Sequence, residues 1–114
     1  MATISTHVLD TARGVPAAGI GVRFEQLSGD DSWLLLGSGT TDDDGRISNL
    51  IPAGASLAEG TYRMSFATGP YLEQTAGGGF YPRARIEFSV AQTSAHYHVP
   101  LLLSPWGYST YRGS

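Results

Sequence analysis

The chain has 114 residues, of which 41% are hydrophobic, and its ten acidic and seven basic side chains give a formal net charge of −3. A chain of this length supports one hydrophobic core, so we expect residues 1–114 to form a single domain. All seven basic residues are arginines scattered along the sequence, which does not predict a nucleic-acid surface. The absence of cysteine excludes disulfides and thiolate metal sites.

Targeting and membrane signals are missing from the sequence. No apolar run approaches the ~20 residues that a membrane helix needs. The first ten residues, MATISTHVLD, lack the basic and apolar regions of a secretory signal, and Arg112–Ser114 is not the Ser-Lys-Leu peroxisomal address. We therefore expect a cytoplasmic protein without a membrane partner.

Most of the chain alternates between apolar and polar residues with period two, the pattern of a strand with one buried face. Turn residues, among them an Asp-Gly pair, separate the alternating segments. The predicted strands are Thr3–Asp10, Ile20–Leu27, Trp33–Ser38, Arg46–Ser48, Gly60–Ala67, Arg83–Ala91, His96–Leu103 and a last one containing Ser109, Tyr111 and Gly113. Strands at this spacing predict an all-β sandwich or barrel.

One short helix is predicted between the strands. Thr68 has the side chain of a helix N-cap and Pro70 suits a first turn, so Tyr71–Ala76 should be helical and Gly77–Gly79 should end it. The loop Thr11–Gly19 and the irregular Asn49–Glu59 complete the chain. The inward strand positions predict a core of Ile4, Thr6, Val8, Ile20, Val22, Phe24, Tyr62, Met64, Phe66, Ala84, Ile86, Phe88, Val90, Tyr97, Val99, Leu101 and Leu103.

The outward faces of the first strand and of the last two have an unusual composition. By alternation they carry His7, Leu9, His96, His98, Pro100, Leu102, Ser109 and Tyr111. A strand face in solvent more often carries Lys, Glu, Thr or Ser. A mixture of His, Leu and Tyr indicates a surface covered by another subunit.

Other interpretations of these polar residues are weaker. A single histidine on a strand is more often an ordinary surface residue than a catalytic one. His96 and His98 share a face and could bind a metal, but no carboxylate accompanies them. Asp42–Asp44 could indicate calcium, but the loop lacks the further ligands and the terminal Glu of an EF-hand. We expect neither a metal nor another cofactor.

Motifs along nearly the whole chain carry a family resemblance. They are Ser5–Asp10, Arg13-Gly14, Pro16, Thr41-Asp42, Gly45-Arg46, Phe80–Pro82, His96–Pro105 and Tyr108–Ser114. Together they resemble the 5-hydroxyisourate hydrolases, the transthyretin-like proteins of urate breakdown, whose chains end in Tyr-Arg-Gly-Ser. Transthyretin, the thyroid-hormone carrier, is similar in fold but has Lys, Glu, Thr and Thr at the positions of His7, Arg46, His98 and Tyr111. The resemblance favours the hydrolase over a carrier of a small aromatic ligand.

The resemblance implies a two-sheet sandwich of about eight strands that forms a homotetramer, a dimer of dimers with active sites in a channel between dimers. The implied reaction is hydrolysis of 5-hydroxyisourate to 2-oxo-4-hydroxy-4-carboxy-5-ureidoimidazoline in purine catabolism. His7 and His98 would be an acid–base pair around the attacking water, and Arg46 would bind and polarise the substrate carbonyl. Tyr111 and Ser114 would position the ring and the water.

Two points stay open at the level of sequence. Either His7 or His98 can be the general base, and Ser114 can act through its hydroxyl or its terminal carboxylate. His96 shares a face with His98 but lies nearer the start of the strand, so we expect it at the rim of the site. Pro100 is unusual in a strand because it cannot donate to a sheet ladder, and we expect a local adjustment there.

Overall fold

The computed structural model describes residues 2–114, which form nine strands and one helix. The elements are β1 (Thr3–Asp10), β2 (Val15–Pro16), β3 (Gly21–Leu27), β4 (Trp33–Thr40), β5 (Arg46–Ile47), β6 (Gly60–Phe66), α1 (Thr68–Ala76), β7 (Ala84–Val90), β8 (His96–Ser104) and β9 (Gly107–Thr110). The helix is too short and too polar to cross a membrane, and it is the one helix within residues 2–114.

The strands form two sheets. Sheet 1 has the order β2-β1-β8-β9, with β5 also paired to β1, and sheet 2 has the order β4-β3-β6-β7. The pairing of β1 with β8 is parallel and joins the two ends of the chain, whereas every other pairing is antiparallel. The predicted all-β architecture is confirmed, as a sandwich.

The core lies between the sheets and consists of the inward positions of the alternating segments. Phe24 and Tyr62 stack with ring centroids 5.4 Å apart, and Phe88 packs on Phe24 at 6.1 Å. Truncating a fully buried aromatic ring of this kind to alanine costs about 3–5 kcal/mol. Nearly all the predicted core residues are buried; Ile86 and Phe88, on the edge strand β7, are only partly so.

The structure corrects several predicted details. A two-residue strand, Val15–Pro16, interrupts the predicted loop Thr11–Gly19, and the strand from Trp33 continues to Thr40. The last strand ends at Thr110, so Tyr111 and Gly113 follow it instead of belonging to it. These differences concern strand ends, where pairing partners and not alternation decide the boundary.

The predicted N-cap at Thr68 is wrong. Thr68 is the first helical residue and Ala67 occupies the cap position, without a side-chain hydrogen bond. The Thr68 hydroxyl is buried and has no hydrogen-bond partner within residues 2–114. The helix is instead fixed by Tyr71, whose hydroxyl donates to Asp10 Oδ2 at 2.7 Å. Burial, and then the Asp10 carboxylate, raise the pKa of Tyr71, which keeps this donor protonated.

Pro100 is accommodated by an interruption of the β8–β9 ladder. Leu101 pairs with Thr110, and His98, three residues nearer the start of β8, pairs with Gly113. The tail after β9 therefore continues along β8 in the same register. Pro100 lies between these pairs and has no N–H to donate. Its carbonyl instead accepts from the Thr110 hydroxyl at 2.7 Å. The proline therefore ends β9 but leaves the tail aligned along β8.

Candidate active site

The outer face of sheet 1 brings together residues that are far apart in sequence. His7 on β1 lies opposite Arg46 on β5 and, on its other side, opposite Pro100 on β8. Ser5, on the same face of β1, lies opposite His98. Paired residues on neighbouring strands share a face at a strand spacing of about 4.8 Å. His7, Arg46 and His98 are therefore neighbours, as an acid–base pair with a cationic group requires.

The position of Arg46 depends on the tight turn before it. Asp42 Oδ1 accepts the backbone N–H groups of Asp44 and Arg46, each at 2.9 Å. Gly45 has a φ of 73°, and a Cβ there would lie 3.1 Å from Ala17 N and would clash with the carbonyl of Val8. Only glycine both adopts this positive φ readily and lacks the Cβ that would clash. The Asp-Gly signal of the sequence thus places a guanidinium beside the first strand.

A hydrogen-bonded chain runs along this face behind His98. Ser5 Oγ lies 2.8 Å from His98 Nδ1 and 3.3 Å from His96 Nε2. The remaining ring nitrogen of His96, Nδ1, is hydrogen-bonded to Thr3 Oγ1. The two imidazoles are nearly parallel, with centroids 6.3 Å apart. His98 thus has its Nδ1 engaged and its Nε2 left for chemistry.

His98 is held in its neutral form by its surroundings. Its ring is half-buried, and burial is the largest cause of a pKa below the ordinary value. The charges of His96, Arg46 and His7 lower the pKa of His98 further, in that order. A histidine that stays unprotonated near neutral pH can accept a proton from water.

The C-terminal tail covers one side of His98. Gly113 N donates to His98 O at 2.8 Å, and a Cβ on Gly113 would lie 3.2 Å from His98 Cγ and 3.3 Å from Pro100 Cγ. A side chain at Gly113 would therefore push the tail off the imidazole. Pro100, predicted to face outward, does so but is buried beneath this tail.

The two tail residues predicted for the site are both exposed. Tyr111 has 58% of its surface accessible and lies opposite Pro100 in the continued register, in the same cross-strand row as His7. Ser114 follows Gly113 directly, and within residues 2–114 it has no side-chain hydrogen bond. The adjacent Arg112 stacks on the Tyr97 ring at 4.7 Å and anchors the tail.

Reasoning from the residues alone missed the role of Ser5. It lies within a recognised motif, but nothing in its spacing indicates that it contacts two histidines about 90 positions away. The parallel pairing of β1 with β8 makes that contact. Within residues 2–114 no cluster of three or more His, Cys, Asp or Glu side chains could hold a metal ion. The His96–His98 pair is thus engaged with hydroxyls and not with carboxylates.

The histidine face is open in the single chain. A cavity of about 210 Å³ lies at the neighbouring edge of the sandwich, between β7 and the tail, and its lining includes His98 and Tyr111 together with inward residues such as Phe88 and Tyr97. The larger concavity, of about 710 Å³, is on the outer face of sheet 2 and contains none of the predicted site residues. The candidate site is therefore identified by its side chains and not by an enclosed pocket.

Comparison with known proteins places this geometry in a family. The model of the HIUase/Transthyretin family matches residues 4–113. The chain belongs to this family. It is 50% identical over 111 residues to the 5-hydroxyisourate hydrolase of Salmonella typhimurium, an alignment that covers 97% of this chain and 80% of the relative. The recognised resemblance is confirmed.

Solved structures of both branches of the family share the fold. The 5-hydroxyisourate hydrolase of Klebsiella pneumoniae superposes with a TM-score of 0.85 at 35% identity, covering 100% of each chain. Transthyretin from Sparus aurata superposes with a TM-score of 0.89 at 30% identity, covering 97% of this chain and 96% of its own. The backbone therefore does not distinguish a hydrolase from a carrier. The side chains on the outer face of sheet 1 have to do so.

Proposed function

We propose that this chain hydrolyses 5-hydroxyisourate to 2-oxo-4-hydroxy-4-carboxy-5-ureidoimidazoline in urate degradation. The observation that carries the proposal is the convergence of His7, Arg46 and His98 on one face, from three separate segments. The 50% identity to a protein named 5-hydroxyisourate hydrolase supports it. A carrier needs no acid–base pair beside a guanidinium, so the transthyretin-like alternative leaves this arrangement unexplained.

The reaction begins with attack of water on the C6 carbonyl. His98 Nε2 takes a proton from the water as its oxygen bonds to C6, because the lowered pKa of His98 leaves that nitrogen free. The carbonyl oxygen becomes an oxyanion, which the always-charged guanidinium of Arg46 stabilises. The C6–N1 bond then breaks and opens the ring, N1 leaves with a proton from His7, and C6 becomes a carboxyl group that stays attached to the product. His98 has then gained one proton and His7 has lost one, so the total number of protons on the two histidines is unchanged.

Ser5 and His96 form a hydrogen-bonded chain that can hold either tautomer of a neutral His98. When the Ser5 hydroxyl donates to His98 Nδ1, the imidazole carries its proton on Nε2. When His98 Nδ1–H donates to Ser5, Nε2 is bare and can act as the base. His96 can donate to Ser5 or accept from it, because its Nε2 contacts Ser5 and its Nδ1 contacts Thr3. His96 is thus a positioning residue behind the site, which gives it a more defined role than the rim position first expected.

The tail completes the site by positioning. Tyr111 comes directly after Thr110, whose hydroxyl donates to the Pro100 carbonyl, and it lies in the same cross-strand row as His7. Its exposed ring can pack on a planar purine-like substrate. Ser114, at the end of the same tail, orients the water through its hydroxyl or its terminal carboxylate.

Assembly into a homotetramer, a dimer of dimers, would enclose the site. In the single chain the histidine face is open, and Tyr111 is exposed, as are Tyr108 and Trp106 elsewhere at this end of the chain. β7 and β9 each have one edge without a pairing strand within residues 2–114, so both can extend a sheet into a second copy. Enclosure excludes bulk water and strengthens the interaction of Arg46 with the oxyanion. The absence of cysteine agrees with a reducing, cytoplasmic location.

The test is to follow the ultraviolet absorbance of freshly generated 5-hydroxyisourate. We expect its decay to accelerate in proportion to protein concentration and to be unaffected by a chelator. The His98→Ala variant serves as the matched control for protein without catalysis. A carrier would instead bind an aromatic ligand stoichiometrically and leave the decay at the rate of the buffer. That outcome would reject the hydrolase proposal.

A further inference from the structure

The arginines are scattered in sequence but not in space. Of the seven in the chain, Arg23, Arg63, Arg83 and Arg85 line a single groove of about 710 Å³ on the outer face of sheet 2. The groove lies on the opposite side of the sandwich from His7 and His98, so the hydrolase mechanism does not use it. In a chain with a formal charge of −3, this concentration of positive charge has to be explained separately.

The strand register arranges the arginines around a hydroxyl. Arg23 on β3 lies opposite Ser65 on β6, and Ser65 in turn lies opposite Arg85 on β7. With strands about 4.8 Å apart, the two arginines stand roughly 10 Å apart with the serine between them. Arginine side chains are long enough to converge on a group held above Ser65.

The floor of the groove is made of small residues. Gly21 has only the Cβ of Ala67 near the position of a side chain, at 3.9 Å, so no bulky group fills this end. The Ser65 hydroxyl is buried and has no hydrogen-bond partner within residues 2–114. A buried polar group without a partner costs free energy unless a ligand or water satisfies it. The groove thus offers a donor that the protein itself does not use.

Most of the positive charge in the groove is uncompensated. Arg63 Nε donates to Glu25 Oε1 at 2.8 Å, and its guanidinium lies over the Trp33 ring at 4.3 Å. This is the one salt bridge within residues 2–114, so Arg23, Arg83 and Arg85 are unpaired there.

The titration of the one acidic group in the groove agrees with this charge. The hydrogen bond from Arg63 lowers the pKa of Glu25 against the effect of burial, and the charges of Arg63, Arg23 and Arg85 lower it further. Glu87 on β7 lies opposite Arg63, so its negative charge offsets positive charge only at the end of the groove away from Gly21. The half of the groove around Ser65 and Gly21 is therefore cationic.

We propose that this groove binds a small polyanion that carries two or more phosphate or carboxylate groups. Guanidinium groups bind such oxygens in pairs of parallel hydrogen bonds, and Arg23 and Arg85 are spaced to hold two of them around the Ser65 hydroxyl. A small ligand is favoured over a nucleic acid because acidic side chains predominate outside the groove, as the net charge requires. A longer polyanion would meet those carboxylates.

Calorimetric titration with inorganic pyrophosphate, at low and at physiological salt, tests the proposal. We expect saturable one-to-one binding, with amide NMR shifts confined to β3, β6 and β7. The double variant Arg23→Gln/Arg85→Gln should weaken binding at least ~10-fold, since each hydrogen bond to a charged group contributes more than 1 kcal/mol. Single inorganic phosphate should bind at least ~10-fold more weakly than pyrophosphate, because it cannot reach both arginines.

Arg13→Gln is the control for the single variants Arg23→Gln and Arg85→Gln, because each of the three removes one positive charge and Arg13 lies in an exposed loop outside the groove. It should leave pyrophosphate affinity unchanged, and hydroxyisourate turnover should be unchanged both in the Arg13 variant and in the double variant. Equal loss of affinity in the Arg13 variant would show a general charge effect and overturn the proposal. Unchanged affinity in the double variant, or tighter binding of a single-stranded oligonucleotide than of pyrophosphate, would also overturn it. Far-UV circular dichroism checks folding, and the single variants replace the double one if it misfolds.

Discussion

The two sheets are alike on the faces they turn toward each other and different on the faces they turn outward. Inside, Val99 and Leu101 of sheet 1 meet rings such as Phe24 and Tyr62 of sheet 2, and all four are buried. Outside, sheet 1 presents histidines bridged by hydroxyls, whereas sheet 2 presents arginines around a serine hydroxyl that has no hydrogen-bond partner within residues 2–114. Close packing restricts the inner faces to apolar side chains, and the outer faces are free to differ.

The difference between the outer faces is one of proton chemistry. Burial, and then the charges of His96, Arg46 and His7, lower the pKa of His98, so this face offers a neutral imidazole that can accept a proton near neutral pH. The arginines of sheet 2 stay charged at any physiological pH, so that face can hold an anion but cannot transfer a proton. One sandwich thus carries a face suited to catalysis and a face suited to binding.

The largest effect is expected from removing the end of the tail. Deletion of Arg112–Ser114 removes the Gly113–His98 hydrogen bond, the Arg112–Tyr97 stacking and Ser114 together. Turnover of hydroxyisourate should fall by more than ~10²-fold, because misplacing catalytic groups by about 1 Å is enough for such a loss. Size-exclusion chromatography should still show a tetramer. Full activity of the shortened chain would exclude any role for the tail.

Single substitutions on the histidine face come next. His7→Ala, Arg46→Ala and His98→Ala should each lower kcat by ~10²-fold or more, the usual loss for a general acid–base or an oxyanion-stabilising group. Thermal unfolding should stay close to that of the parent chain, because none of the three belongs to the core. Arg85→Ala on sheet 2 is the control for loss of a strand arginine and should keep full turnover. If two of the three site variants kept near-parent rates, the assignment would be wrong.

The strands and the core could be predicted because alternation with period two is a local pattern that each segment carries by itself. The site could not be predicted in that way. His7 and His98 are neighbours only because β1 pairs with β8, and alternation does not say which strands pair. Their roles came from the family resemblance, and the match to residues 4–113 confirms the family but does not test the roles.

The arginine groove shows the same limit of local patterns. Arg23, Arg63 and Arg85 each occupy an outward position of a predicted strand, so their exposure was predictable. Their grouping required the order β3-β6-β7, which is a property of the whole fold. The predicted N-cap at Thr68 was wrong for a different reason. Its N-cap geometry depends on the angle at which β6 leads into the helix, and the chain bends at Ala67 instead.

A smaller effect distinguishes two serines, one on each outer face. Ser5→Ala removes the bridge between His98 and His96, and we expect kcat to fall by about 10-fold, the equivalent of one lost hydrogen bond of ~1.4 kcal/mol. The pH–rate profile should change shape, because His98 Nδ1 loses its hydrogen-bond partner. Ser65→Ala on sheet 2 removes a hydroxyl that has no partner within residues 2–114 and should leave both kcat and the profile unchanged. If the Ser5 and Ser65 variants had the same kinetics, Ser5 would have no role in the mechanism.

The smallest effect is a shift in the titration of His98, measured by NMR of its ring protons in the assembled form that we propose. Its pKa should lie below the ~6.5 of an unfolded chain, with burial as the main cause. Replacing His96 with Gln should raise this pKa, and Arg46→Gln should raise it less, following the order of their contributions. Arg85→Gln on the other face should not move it. Because the folded state binds this proton less readily than the unfolded state, His98 should lower the free energy of unfolding as the pH falls through the folded-state pKa, and His96→Gln should weaken that dependence. If all three variants shifted His98 equally, the charges would act through the solvent at long range, and the two faces would not be electrostatically separate.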